Sequence, residues 1–157
     1  TSVSTRSLCL TLMLTGCRIS EALALRPCDI QHHAKVLSIR TLKKRAAGKV
    51  REVPVPVTLL EALAAQSDAA AKSRERLWWW CRTTAYSRVK AVMAEADISG
   101  IHACPKGVRH GFAIHAVRSN VPLHMIQRWL GHAALSTTAI YTDAVGPEEY
   151  AIAERMW

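Results

Sequence analysis

Four residues spread along the chain are of the types that phosphoryl transfer uses. Arg18 lies in Thr15-Gly16-Cys17-Arg18-Ile19-Ser20-Glu21, and Arg109 lies in Pro105-Lys106-Gly107-Val108-Arg109-His110. His132 follows Leu130-Gly131, and Tyr141 stands nine residues further on. An arginine fork matches the non-bridging oxygens of a phosphate. A histidine can donate a hydrogen bond or move a proton, and a tyrosine can be a covalent nucleophile. Each residue also has a plainer reading. Arg18 and Glu21 have the i,i+3 spacing of a surface ion pair, worth about 0.3 kcal/mol. A histidine after a helix-ending glycine is commonly a cap or surface residue. Tyr141 alone is an ordinary half-buried tyrosine, with a phenol whose free pKa of about 10 keeps it protonated at neutral pH.

The elements that must bring these residues together are mostly helical. Residues 4–14 read as a buried helix, broken at Gly16. Ser20–Leu25 reads as a second helix, stopped by Pro27. Ala34–Ile39 alternates as a strand, and Val50–Val57 alternates again, with Pro54 and Pro56 suiting an edge. Between them Lys43–Lys49 forms a basic hairpin tip. Leu59–Ala71 and Arg82–Ala96 read as helices, the latter with Thr83 or Thr84 as its N-cap. Gly107–Val117 carries Arg109 on a helix, and Pro122–Leu130 is a short helix with Gly131 at its end. Thr137–Ala144 reads as a helix carrying Tyr141, and Pro147–Met156 as a last one. The fold class is mainly α with one small antiparallel β-sheet, an α+β domain.

The order and spacing of these motifs, from about residue 8 to 146, resemble the catalytic domain of the tyrosine recombinases, the phage integrase family. Thr-Gly-x-Arg-x-Ser-Glu matches the first arginine motif of that family, and Leu-Gly-His followed nine residues later by Tyr matches its last. The resemblance implies that Arg18 and Arg109 clamp a DNA phosphate, that His132 donates a hydrogen bond to it, and that Tyr141 is the nucleophile. The family usually shows His-x-x-Arg-His around the second arginine. Here the first His position is Lys106, and lysine does occupy it in some members. Lysine donates to a phosphate or leaving oxygen, but its free pKa of about 10.4 makes it a poor base unless shifted. The plainer reading of Lys106 is a solvated lysine at a helix start. His110 reads as a residue that packs or orients the backbone rather than one that touches phosphate. The resemblance also implies a hairpin lysine that protonates the 5′ leaving oxygen. Lys43 is preferred, with Lys44 and Lys49 as alternatives, and Lys44, Arg45 and Lys49 are candidate DNA contacts. A merely DNA-attracting basic loop is the plainer reading.

By the same resemblance, one catalytic domain spans residues 1–157, without the N-terminal DNA-clamping domain usual in the family and with a shortened first helix. Tyr141 attacks one phosphate, leaving a 3′-phosphotyrosyl link and a free 5′-hydroxyl. The energy of the phosphodiester is kept, so no cofactor is implied, and the arginines take the charge-neutralising part that a metal plays elsewhere. The implied partner is double-stranded DNA, held by a homo-oligomer that forms a tetramer on it. Two other readings compete: a type IB topoisomerase-like nicking-closing enzyme, and a non-catalytic DNA-binding remnant or regulator.

Bulk properties agree. The chain of 157 residues has 21 Lys+Arg against 12 Asp+Glu, a formal charge of +9. Such an excess attracts polyanions, chiefly nucleic acid. Half the residues are hydrophobic, which excludes a disordered tail. Five cysteines without a CxxC pair suggest neither zinc nor a disulfide frame. The histidines lack zinc spacing, so no metal site is expected. A reducing cytoplasm is the expected location, at the nucleoid of a bacterium. Ser7–Leu14 before Cys17 imitates a short lipoprotein leader, but its apolar pattern continues at helical spacing through Ile19, Ala22, Leu23 and Leu25. No segment is apolar enough to span a membrane. Trp78-Trp79-Trp80 reads as core filling rather than a base-stacking platform.

Overall fold

The computed structural model describes residues 2–42, 48–70, 76–132 and 136–140. Its elements are helix α1 (Val3–Thr15), helix α2 (Ile19–Ala22), a 3-10 turn (Pro27–Asp29), strands β1 (Ile30–Gln31), β2 (Val36–Arg40) and β3 (Val50–Pro54), and helices α3 (Val57–Ala70), α4 (Arg82–Glu95), α5 (Pro105–Arg118), α6 (Leu123–Leu130) and α7 (Ser136–Ala139). The class expected from the sequence, mainly α with a small antiparallel sheet, is the one observed.

Helix α1 packs against α2, α3, α4 and α5. It buries Leu8 and Leu12, and also Thr5, Ser7, Thr11 and Thr15. Buried hydroxyls cost free energy unless bonded. Ser7 donates to the Ser4 carbonyl, Thr11 to Ser7 and Thr15 to Thr11, at 3.0, 2.8 and 2.6 Å. This back-bonding lets short polar side chains line a buried helix. Gly16 ends the helix with φ 61° and its N–H on the Leu12 carbonyl. A side chain there would strike Phe112 and Leu130, so the glycine allows α5 and α6 to approach the end of α1.

The strand order is β1-β2-β3, all antiparallel, so among the described residues β3 is an edge strand, in keeping with Pro54. Leu37 and Ile39 of β2 and Val53 of β3 face the core. Arg51 faces it too, opposite Ile39. Strand β2 starts at Val36 rather than Ala34, because Lys35 turns the chain with φ 53°. Helix α2 ends at Ala22 rather than Leu25. Beyond it the chain tightens into Ala24→Glu21 and Leu25→Ala22 bonds, and the buried Leu25 offers its carbonyl to the Leu77 N–H at 2.9 Å. Helix α4 is capped by Cys81, not by Thr83 or Thr84. The helix begins at Arg82, so Thr84 is the residue whose N–H the cap accepts, at 3.5 Å from Cys81 Sγ.

The tryptophan run divides. Trp78 is 2% exposed and donates from Nε1 to the Ser4 carbonyl at 3.0 Å. Trp79 is 66% exposed, which corrects the core reading for that residue. Trp80 is half-buried, with the Arg88 guanidinium 4.4 Å from its ring centre. Among the described residues no helix is long and apolar enough to cross a membrane.

Candidate active site

The segment before Arg18 is irregular from Gly16 to Arg18, and α2 starts directly after it. Glu21, in the first turn of α2, reaches back to this entry. Its carboxylate accepts the Arg18 N–H at 3.0 Å and Arg18 Nη1 at 3.1 Å. The Arg18–Glu21 pair is therefore no surface ion pair. The Glu21 side chain is fully buried, while 36% of the Arg18 side chain remains exposed. That geometry holds a partly accessible guanidinium from behind. Burial pushes the Glu21 carboxyl up, but the hydrogen bond and charge of Arg51, followed by the N–H and charge of Arg18, outweigh it and hold the carboxyl below its ordinary range. Desolvation pushes the buried Cys17 thiol, one residue before Arg18, up to about 11.

Arg109 lies on α5, which opens with Pro105 in its first turn. Its guanidinium is buried, with the residue 8% exposed. Nη1 donates to the Gly16 carbonyl at 2.7 Å, and Nη2 donates to the Leu130 carbonyl at 2.8 Å. Gly16 is two residues from Arg18, and Leu130 is two residues from His132. One side chain thus joins the three motif segments. Lys106 stands one turn before Arg109 on α5 and is exposed. His110 is exposed, with its ring parallel to that of His102 at 6.3 Å between centroids.

His132 is set by the end of α6. Gly131 takes φ 66° and donates to the Arg128 carbonyl, and His132 N–H donates to the Gln127 carbonyl, both at 3.1 Å. This double closure is the Schellman arrangement that glycine permits. The His132 carbonyl accepts from Gln127 Nε2 at 3.3 Å, and its ring Nδ1 lies 2.8 Å from the hydroxyl of buried Thr138 on α7. Backbone and ring are both held. Tyr141, Lys43, Lys44 and Arg45 lie outside the described residues. Lys49 is exposed, and its carbonyl accepts the Thr41 N–H at 2.8 Å, closing the base of the β2–β3 hairpin. Among the described residues no group of three or more His, Cys, Asp or Glu is placed to hold a metal ion.

Arg51 was not among the sequence candidates. It donates through Nη2 to Glu21 Oε2 at 2.7 Å, through Nε to the Trp129 carbonyl at 2.7 Å, and through Nη1 to Thr41 Oγ1 at 3.2 Å. The available signal was parity. In strand β3, Arg51 shares a face with Val53, which the alternation sends inward.

These segments, arranged around one buried arginine on a mainly helical domain, match the phage integrase family over residues 1–146, and the chain belongs to that family. Tyrosine recombinase XerA of Thermococcus onnurineus (strain NA1) is 32% identical over 143 residues, covering 87% of this chain and 50% of the relative. Tyrosine recombinase XerD of Mycobacterium tuberculosis (strain CDC 1551 / Oshkosh) is 35% identical over 143 residues, covering 83% of this chain and 45% of the relative. The chain spans about half the length of the curated relatives it matches. The fold is shared with the XerH site-specific recombinase, crystallised with a palindromic difH substrate in a post-cleavage complex. The TM-score is 0.82 at 24% identity, covering 95% of this chain and 45% of that one.

Proposed function

We propose that this domain is the catalytic part of a tyrosine-type site-specific DNA recombinase, which cleaves and rejoins double-stranded DNA within a homo-oligomer. The observation that carries the reading is the double hydrogen bond of Arg109 to the Gly16 and Leu130 carbonyls, which draws the Arg18 and His132 segments to one place. In this reading Arg18 and Arg109 face the non-bridging oxygens of the scissile phosphate. Their positive charge stabilises the extra negative charge of the five-coordinate transition state. His132 adds a hydrogen bond. Tyr141 Oη forms the new bond to phosphorus as the bond to the 5′-oxygen breaks. The phenol proton passes to solvent water, and the 5′-oxygen takes up a proton, with Lys43 or Lys106 as the donor. Attack by a 5′-hydroxyl of another strand reverses the step and frees Tyr141. The +9 charge supports DNA as the partner.

The test is incubation with a nicked duplex whose short 5′-hydroxyl fragment diffuses away after cleavage. The expected result is a covalent protein–DNA adduct on denaturing gels that maps to Tyr141 and is absent in Tyr141→Phe. Transfer of the trapped strand to a second duplex distinguishes a recombinase from a nicking-closing enzyme. DNA binding without any adduct would make the domain a non-catalytic binder.

A further inference from the structure

Arg51 belongs to none of the motifs that carry the proposed chemistry, yet its guanidinium lies between two of them. Burying an arginine opposite Ile39 removes it from water, which is tolerable only where its donors find partners. The partners here come from separate parts of the chain. Glu21 binds both the backbone N–H and the side chain of Arg18. The Trp129 carbonyl is three residues before His132, in the helix end that fixes the His132 backbone. Thr41 stands at the foot of the hairpin. The connection therefore runs from Arg18 through Glu21 and Arg51 to the end of α6 and His132, with three partners set by one rigid planar group.

The geometry points to Arg51 as a positioning residue that sets where His132 stands relative to Arg18; this rests on the proposed recombinase reading of the site. Arg51 touches no substrate in this assignment and acts through the Trp129 carbonyl and the Glu21 carboxylate. A lysine would keep the charge beside Glu21. It would not hold Glu21, Trp129 and Thr41 together, because its ammonium is a point donor on a flexible stem.

The experiment compares wild type with Arg51→Lys in two ways. The first is the position of the His132 ring signals in carbon-proton NMR, assigned through His132→Asn. The Trp78 indole signal, whose N–H is held by Ser4 and Ser7, serves as the control for the fold. The second is single-turnover adduct formation on the nicked duplex, measured beside DNA affinity. The expected result is a displaced His132 signal with Trp78 unmoved. With it, adduct formation slows by about a hundredfold, the cost of misplacing a reacting group by about 1 Å, while affinity stays within about twofold, as befits a loss confined to the transition state. An unmoved His132 signal, or a wild-type cleavage rate, would overturn the proposal. If wild type itself forms no adduct, that failure falls on the recombinase reading, and the His132 signals alone decide the placement by Arg51. If Arg51→Lys does not fold, Glu21→Gln/Arg51→Gln, which removes both charges of the buried pair together, carries the same comparison.

Discussion

Arg51 and Arg109 divide between them the last two carbonyls of helix α6. Arg51 Nε takes Trp129 at 2.7 Å, and Arg109 Nη2 takes Leu130 at 2.8 Å. The two carbonyls before these are taken by the N–H groups of Gly131 and His132. All four carbonyls that a helix end leaves without helical partners are thereby satisfied. Two guanidinium groups at a helix C-terminus also oppose its negative dipole. The candidate site is thus assembled around a helix end: two of the groups that complete α6 come from β3 and α5, and His132 stands directly after the closing Gly131.

Gly131→Ala is expected to damage this assembly. The left-handed backbone costs about 1–2 kcal/mol for a residue with a Cβ. The added carbon would also lie 3.1 Å from the Arg51 guanidinium. Gly131→Asn, which tolerates the conformation better, is expected to lose less backbone stability than its size suggests. Urea denaturation of the variants checks the loss. Unchanged stability of Gly131→Ala would mean that the helix end can reclose without its left-handed residue.

Glu21 gives the fold an acid-sensitive component. Its folded pKa is lowered, so the unfolded chain, with a glutamate pKa of about 4.3, binds the proton more readily. The stabilisation is complete above the unfolded value and is lost as pH falls through the folded one. Urea titrations from neutral pH down to about 3, beginning above that reference pKa, are expected to show a steeper stability loss in wild type than in Glu21→Gln. Parallel curves for the two proteins would contradict the assigned shift.

The cysteines are expected to react in a fixed order. Cys81 is exposed, and its hydrogen bonds with the Thr84 hydroxyl and N–H lower its pKa. Cys17 is buried, with a pKa raised to about 11 by desolvation. Since the thiolate is the reactive form, iodoacetamide in native buffer is expected to label Cys81 first and Cys17 only after unfolding. Mass spectrometry of timed digests measures the order. Early labelling of Cys17 would show that the Gly16–Arg18 segment opens readily.

Much of the candidate site is legible in the sequence because the proposed chemistry needs particular residue types. Arg18, Arg109 and His132 carry their motifs openly, and the Gly131 helix end follows from one glycine after an apolar stripe. Arg51 is harder to see. In Val50-Arg51-Glu52-Val53-Pro54 an arginine beside a glutamate reads as solvated, and only its parity with Val53 places it on the inward face. Its partner is 30 residues earlier in sequence, and local periodicity carries no information about such pairs. Helix starts suffer similarly. Thr83 and Thr84 are better intrinsic caps than Cys81, but the chain already turns into the helix at Arg82.

Lys106 separates a catalytic part from a solvated one. It stands where the family usually has histidine, is exposed, and lies one turn from the buried Arg109. If its ammonium donates a proton or a hydrogen bond only as the phosphate is transferred, truncation costs rate and not binding. Lys106→Ala is expected to slow single-turnover adduct formation by about a hundredfold, the low end for general acid–base catalysis, with DNA affinity within about twofold. Lys106→His is expected to retain activity, since an imidazolium donates from the same helical position. Both variants and wild type are compared on the nicked duplex. Equal rates for wild type and Lys106→Ala would make Lys106 a surface lysine and leave the proton donor to the hairpin.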